Sequence, residues 1–249
     1  MTMDKLSAAF IFFTRLPLWR VLHPSPEAYS RVVDCWTTVG WFTGGITALT
    51  LLLASMVLPW IAAVVCALSM RVLVTGALHE DGLADFFDGL GGGRTREDVL
   101  RIMKDSHIGT YGVLGLILYY ALALSLLGSL SPEPAVMLVF AADPFGKLCA
   151  SQLINLLPYA RTAQTAKNRT VYARMSPISF MFSLLMGVLP MFIFPPRLML
   201  GALLAPITAG LLILLLNKRI QGYTGDCCGA LFLLSELACW AGIVIMTEI

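Results

Sequence analysis

Long uninterrupted apolar runs constrain this sequence more than any other feature. Of its 249 residues, 58% are hydrophobic and only 13% are charged, whereas a soluble globular chain carries about 25% charged residues. A water-soluble domain of this size cannot hide that much apolar length in one core. The sequence therefore predicts an integral membrane protein. It predicts an all-α protein because the runs are continuous and do not alternate as barrel strands do.

Seven segments have the length and composition of membrane-spanning helices, which need about 20 apolar residues. They cover residues 35–58, 60–78, 108–130, 134–157, 177–194, 198–216 and 228–246. The shorter stretch 6–19 contains Arg15 and Pro17, and we expect an interfacial or half-inserted helix there. Residues 1–249 are interpreted as a single membrane-embedded domain, a polytopic helical bundle.

The basic residues predict an orientation, because cytoplasmic loops of membrane proteins are enriched in Lys and Arg. Fourteen of the 17 basic residues, among them Lys167 and Arg169, fall on the side of the N-terminus, and the opposite side holds Arg197 alone. This pattern predicts a cytoplasmic N-terminus, with the polar chemistry on the same face. A net charge of +2 is too balanced for a protein that binds nucleic acid.

An acidic stripe follows the second predicted span. Asp81, Asp85 and Asp88 are spaced i, i+4 and i+7, so a helix places them within about 60° on one face. Such like charges repel one another, and carboxylate oxygens suit Mg²⁺, which also keeps water and phosphate oxygens in its shell. The spacing predicts a magnesium site, with a solvated helix end as the alternative. His79 falls on the opposite face of the helix. A hydrogen-bonded interfacial histidine and a functional one are equal alternatives for it.

Three consecutive glycines end this helix, and Thr95 with Asp98 resembles a capping box that begins another. The second helix is amphipathic and basic. One hypothesis is that Arg101 and Lys104 neutralise phosphate while Asp105 joins the metal site. The other is a surface helix that contacts anionic lipid.

Two further polar features interrupt the apolar pattern. Asp143 and Lys147 form an i, i+4 pair within the fourth predicted span. Charges inside a membrane mark functional sites by default, but a self-satisfied ion pair is an equal alternative. Asp226, flanked by glycines and close in sequence to Lys218 and Arg219, could complete a site for pyrophosphate.

Four blocks of the sequence carry a family resemblance. They are Phe13-Thr14-Arg15-Leu16-Pro17; residues 79–89 with the three aspartates; Ile102-Met103-Lys104-Asp105-Ser106 with Gly109; and Thr224-Gly225-Asp226 with Gly229-Ala230. In these blocks the chain resembles cobalamin synthase, the adenosylcobinamide-GDP ribazoletransferase family of bacteria and archaea. The blocks span nearly the whole chain in the family's order. One departure is that Asp143 and Lys147 stand where the family pattern has a Ser-Arg pair.

The resemblance implies the last assembly step of the cobalamin nucleotide loop in the bacterial inner membrane. Adenosylcobinamide-GDP would meet α-ribazole or its 5'-phosphate, and a ribose hydroxyl would displace GMP from the cobinamide-side phosphorus. It implies that Mg²⁺ on the pyrophosphate is held by Asp81, Asp85 and Asp88. The catalytic residues expected on this basis are Asp105, Asp226 and Lys104. The expected substrate-binding residues are His79, Arg101, Ser106, Thr224, Gly225 and Arg15.

Two other functions compete with this interpretation. Asp85 and Asp88-Gly89 also resemble the first element of CDP-alcohol phosphotransferases, although the Ala-Arg expected soon afterwards is absent. A secondary transporter could line a path with Arg71, Asp143 and Lys147, but the spans show no internal repeat. A homo-oligomer or an association with other enzymes of the pathway is left open.

Overall fold

The computed structural model describes residues 2–161 and 171–248, so Lys167 and Arg169 lie outside the described residues. Within those ranges the secondary structure is helical, without a β-strand, which confirms the all-α prediction. The α-helices are α1 Met3–Phe13, α2 Pro26–Tyr29, α3 Trp36–Ser55, α4 Trp60–Thr75, α5 Leu78–Gly92, α6 Arg96–Ile102, α7 Thr110–Ser129, α8 Pro132–Ser151, α9 Leu153–Leu156, α10 Pro177–Val188, α11 Pro196–Ala202, α12 Leu204–Ile220 and α13 Gly225–Glu248. Short 3₁₀ helices cover Pro17–Arg20, Val32–Cys35 and Leu189–Ile193.

The polytopic membrane bundle is confirmed, but the number of spans differs from the prediction. In the part of the chain that the structure describes, five helical segments are long and apolar enough to cross a bilayer, and α4 with α5 makes a sixth if a bent pair counts as one span. The five are Val32–Ser55, Thr110–Ser129, Pro132–Leu156, Pro196–Ile220 and Gly225–Glu248. The predicted span 177–194 corresponds to a shorter apolar helix, Pro177–Ile193. The count of seven is therefore reduced to five or six by this criterion.

A sharp bend separates α4 from α5 and explains one of these differences. Gly76 and Ala77 both have left-handed backbone conformations, with φ of 66° and 56°, and the two helix axes differ by 92°. Arg15 packs against the bend: its backbone N–H donates to the Val74 carbonyl at 2.7 Å, and its side chain fills the space beside Gly76. The acidic stripe therefore lies on a helix of its own and not, as expected, at the end of the second span.

Helix α13 occupies the centre of the bundle and packs against α5, α7, α8, α11 and α12. Glycines permit the closest approaches. Gly201 of α11 and Gly242 of α13 meet backbone to backbone, and Gly82 of α5 lies against the first turn of α13. A side chain at any of these positions would push two helices apart. The packing of α13 thus determines where the first turn of α5 lies.

Several arginines counted above as an orientation signal cap the C-terminal ends of helices. Arg219 donates to the carbonyls of Leu90 at 3.2 Å and Gly93 at 2.7 Å, at the end of α5. Arg96 bonds a carbonyl at the end of α12, and Arg161 bonds one at the end of α6. A cation in these positions satisfies free carbonyls and opposes the negative end of the helix dipole. These contacts tie α5, α6 and α12 together.

Candidate active site

A cavity of about 110 Å³ lies where the first turns of α5 and α13 meet α1. Its wall is polar on one side and aromatic on the other. The polar side includes Asp81, Gly225, Asp226 and Gly229. The aromatic side includes Phe12, Phe13, Trp36, His79 and Tyr172.

The two helices that form the polar side touch through their backbones. A Cβ atom on Gly82 would lie 2.8 Å from the Asp226 carbonyl oxygen, and one on Gly229 would lie 3.2 Å from the Cα atom of His79. Two helix N-termini are therefore brought side by side. Their free N–H groups and the positive ends of their dipoles favour a bound anion such as phosphate.

The segment that leads into α13 is bonded to residues 158–160. The N–H of Tyr223 donates to the Pro158 carbonyl at 3.0 Å, and the N–H of Ala160 donates to the Tyr223 carbonyl at 2.8 Å. Thr224 is fully buried, and its hydroxyl donates to Oδ2 of Asp226 at 3.2 Å. The predicted residues Gly225 and Asp226 thus lie in the cavity wall, and Thr224 supports the carboxylate of Asp226.

The three aspartates of the acidic stripe are not brought to one point. Asp81 is exposed in the cavity wall, and Asp85 is buried one turn further along α5. Asp88 lies beyond the cavity, where its carboxylate accepts hydrogen bonds from the backbone N–H groups of Gly109 at 2.7 Å and Gly112 at 2.8 Å. Among the described side chains, no group of three or more His, Cys, Asp or Glu residues is arranged to hold a metal ion. The geometry thus departs from a single site shared by all three.

The predicted residues in the last turn of α6 and between α6 and α7 also lie outside the cavity wall. Arg101, Lys104, Asp105 and Ser106 are exposed. Asp105 accepts a hydrogen bond from the N–H of His107 at 3.0 Å and contacts Nδ1 of its ring at 2.7 Å. These hydrogen bonds, the side-chain one foremost, lower the pKa of Asp105 below its ordinary value, so its carboxylate is ionised at neutral pH.

His79 lies in the cavity wall even though it points to the opposite face of α5 from the aspartates. Both can line the cavity because it lies at the end of the helix and not along one side. The His79 ring is buried among aromatic rings, with Trp36 at 5.6 Å and Phe232 at 4.9 Å between centroids. Its Nε2 atom has no hydrogen-bond partner within residues 2–161 and 171–248. Arg15, in contrast, is exposed beside the α4–α5 bend and is not part of the cavity wall.

Buried charges lie behind the aromatic side of the cavity. Asp143 forms an ion pair with Lys147 and accepts a hydrogen bond from Thr43, and all three side chains are buried. Arg71 donates to Glu236 at 2.5 Å. The charges of Asp143 and Lys147 pair with each other, which supports the ion-pair interpretation of these two residues over the transport path. Nε of Arg71 and Oε1 of Glu236 have no hydrogen-bond partner among the described residues.

Sequence reasoning missed most of the aromatic side of the cavity. Phe13 was singled out as part of a motif, but Phe12, Trp36 and Tyr172 were not. Their membership depends on how α1, the start of α3 and the segment before α10 meet. Aromatic residues are common near membrane boundaries, so no local pattern distinguished these three.

Comparisons with known proteins point to one enzyme family, and each match covers nearly the full chain. The family model for cobalamin-5-phosphate synthase matches residues 5–244. The adenosylcobinamide-GDP ribazoletransferase of Leptospira interrogans is 33% identical over 252 residues, covering 97% of this chain and 95% of that protein. The enzyme of the same name from Shewanella frigidimarina is 38% identical over 245 residues, covering 95% and 92%. No solved structure matches the chain significantly.

Proposed function

Because the chain belongs to the cobalamin-5-phosphate synthase family, we propose that it is a transferase that joins adenosylcobinamide-GDP to α-ribazole or its 5'-phosphate and releases GMP. The observation that carries this proposal is the cavity at which two helix N-termini converge with Asp81 and Asp226. Transfer of a phosphoryl group needs positioning and charge neutralisation more than covalent catalysis. A site built from helix N-termini and carboxylates supplies both.

The residues beside the cavity fit a magnesium ion. Asp81 and Asp85 are one helical turn apart on the same face of α5, and two carboxylates are a typical protein contribution to Mg²⁺, with phosphate oxygens and water as the other ligands. We assign these two residues to the ion. When bound, Mg²⁺ would neutralise the charge on the pyrophosphate.

The remaining polar groups of the cavity would act on the two reacting partners. The N–H groups at the starts of α5 and α13 would bind phosphate oxygens. Asp226, held by Thr224, would accept the proton of the ribose hydroxyl as its oxygen bonds to the cobinamide-side phosphorus. The bond from that phosphorus to the bridging oxygen then breaks, and GMP leaves with that oxygen.

The other end of α5 would serve the leaving group. Asp88 lies seven residues beyond Asp81, which is about 10 Å along the helix axis. We propose that Asp88 is a positioning residue that holds the start of α7, and with it the segment 104–108. From there Lys104 and Arg101 would contact the phosphate of GMP. Asp105 and Ser106 would then contact the rest of that nucleotide instead of the metal.

The basic residues support a proposal for the location of the reaction. Arg94, Arg101 and Lys104 belong to the same exposed region, and such residues concentrate on the cytoplasmic face of a membrane protein. We propose that the protein lies in the bacterial inner membrane with this site on the cytoplasmic face. Both substrates would then reach the site from the cytoplasm.

The proposal is tested with purified protein in lipid nanodiscs supplied with adenosylcobinamide-GDP, α-ribazole and Mg²⁺. We expect GMP and the complete cobamide in equal amounts, loss of both with EDTA, and recovery when Mg²⁺ is restored in excess. Product formation unaffected by EDTA would contradict the metal assignment while leaving the activity intact. Folded protein that makes no product would overturn the proposed function. Inhibition by CDP-diacylglycerol would point to the alternative phosphotransferase.

A further inference from the structure

We infer that the aromatic side of the cavity binds the fused-ring base of the nucleoside substrate, with the ribose toward Asp81 and Asp226 and the corrin ring outside. This inference rests on the proposed function, which requires both substrates but does not say which of them enters the cavity.

The size of the cavity excludes the larger substrate. Its volume is about 110 Å³. A closed cavity of roughly 150 Å³ takes up one benzene ring, so this cavity can admit part of a fused-ring base but not all of it. An edge of a bicyclic base fits such a space, whereas a corrin macrocycle does not. The corrinoid therefore stays outside and presents its pyrophosphate to the polar side.

The aromatic side offers flat surfaces at which a base can stack. The rings of Phe13 and Trp36 are stacked at 5.1 Å with an interplanar angle of 13°. Phe12 and Tyr172 meet edge to face at 6.1 Å and 88°, and both are partly exposed. Stacking on aromatic side chains binds any flat base, whatever its pattern of hydrogen-bond donors and acceptors.

Two residues of the same wall each have a buried ring nitrogen without a hydrogen-bond partner among the described residues. Nε1 of Trp36 and Nε2 of His79 have no hydrogen-bond partner in the described part of the chain, and the two residues are 1% and 3% exposed. Buried polar groups are usually hydrogen-bonded, so these two nitrogens call for a partner, which a ligand or water can supply. The indole N–H can only donate. The base of α-ribazole has one ring nitrogen with a free lone pair, which is the acceptor that such a donor requires.

The two sides of the cavity then orient the nucleoside. Its apolar ring edge would contact the aromatic side, and its ribose hydroxyls would face the carboxylates of Asp81 and Asp226. The nucleophilic hydroxyl would thereby lie where the two helix N-termini hold the phosphorus. The same arrangement explains why one wall carries both aromatic rings and unsatisfied nitrogens.

The first experiment compares Phe12→Leu with Phe10→Leu. Both residues are partly buried on α1, but Phe10 contacts Phe42 and is not part of the cavity wall. We expect Phe12→Leu to raise the KM for α-ribazole about tenfold, as loss of a stacking partner does, with little change in the KM for adenosylcobinamide-GDP. Phe10→Leu should change neither value. A rise confined to the KM for adenosylcobinamide-GDP would overturn the inference.

The second experiment tests the hydrogen bond. The probe is a nucleoside whose base is the corresponding indole, in which carbon replaces the acceptor nitrogen. Wild type should prefer α-ribazole about tenfold in kcat/KM, as expected for one buried hydrogen bond. Since the single lone pair accepts from one donor, one of the two variants Trp36→Phe and His79→Phe should abolish that preference. Each variant keeps an aromatic ring and removes the ring nitrogen that could donate. Retention of the preference in both variants, or its absence in wild type, would contradict the inference.

Failure of the proposed function is distinguishable from failure of this inference. If wild type forms no product, equilibrium dialysis with radiolabelled α-ribazole still measures binding. If wild type binds α-ribazole tightly, and Phe12→Leu weakens this binding while Phe10→Leu does not, the base-binding inference holds and the proposed transferase function fails. If Phe12→Leu forms product and its KM for α-ribazole is unchanged, the proposed transferase function holds and the base-binding inference fails.

Discussion

The two ends of α5 carry the same kind of side chain and use it differently. At the first turn, Asp81 faces a cavity that Asp226 also lines. Near the last turn, Asp88 is buried, and its carboxylate bonds two backbone N–H groups at the start of α7. In a linear pattern the two residues are equivalent members of one stripe. Their different neighbours place one in the wall of a cavity and make the other a part of the framework.

This difference shows that a periodic row of charges does not imply a common role. A carboxylate at a helix N-terminus is stabilised by the helix dipole and by free N–H groups, and this holds whether the helix is its own or a neighbour's. Asp88 acts in this way on α7. The catalytic hypothesis therefore concentrates on Asp81, Asp85 and Asp226, whereas Asp88 has a structural role. The predictions below test this difference between the two ends of α5.

The largest expected effect is on catalysis by Asp81→Asn. Removal of one charge that stabilises the reacting phosphate should lower kcat about 10²–10³-fold or more. Because the Asp81 side chain is exposed, the melting temperature in detergent should stay close to that of wild type. GMP release and a thermal melt on the same preparation measure both quantities. Near-normal turnover in this variant would remove Asp81 from the site.

Asp88→Asn should affect folding instead. An amide can accept only one of the two N–H bonds, so one buried donor loses its partner and the other loses a charged acceptor. We expect a loss of about 3 kcal/mol of stability and, for the protein that remains folded, a fall in kcat/KM of less than about tenfold. If this variant instead keeps its melting temperature and loses activity as Asp81→Asn does, the two ends of α5 share one role.

Gly82→Ala tests the contact between α5 and α13. The added Cβ atom would lie 2.8 Å from the Asp226 carbonyl oxygen, so the helices must separate at a cost of about 1–3 kcal/mol. Asp81 and Asp226 would move apart, and we expect kcat/KM to fall more than stability alone explains. The matched control is Gly210→Ala on α12, where nothing lies within 4 Å of the added atom. Equal activities in the two variants would show that the spacing of the helices does not matter.

The smallest effect is expected for Arg219→Gln, which weakens the cap on the last turn of α5. Loss of the charged donor to Leu90 and Gly93 should cost about 1 kcal/mol. The change lies at the Asp88 end of the helix, away from the cavity, so stability should decrease while the KM for α-ribazole stays constant. A change in the KM for α-ribazole would indicate that Arg219 also affects the cavity.

Much of the fold could be predicted from local properties of the sequence. The apolar runs identified the helices, and Thr95 caps α6 as the pattern indicated, with its hydroxyl accepting from the N–H of Asp98 at 3.1 Å. The bend at Gly76 was missed because an isolated glycine in an apolar run is compatible with a continuous span. It shortens α4 and turns the acidic stripe onto a separate helix.

The candidate site was predictable only in part. Asp81, Gly225 and Asp226 were identified from sequence and lie together in the cavity wall, although their chemical roles stay predictions. Lys104, Asp105 and Ser106 belong to the same family motifs but lie outside that wall. Motif membership indicates that residues matter to a protein, and it carries no information on the distance between them.

The sequence by itself determined that this protein is an all-α membrane bundle of the cobalamin-5-phosphate synthase family. It could do so because apolar length and short motifs are local properties of the chain. Only the tertiary structure decided that the first turns of α5 and α13 meet, that aromatic rings from α1 and α3 close the same cavity, and that Asp88 caps α7. These contacts join segments far apart in the chain, and they depend on which surfaces pack without clashes and which buried polar groups find partners.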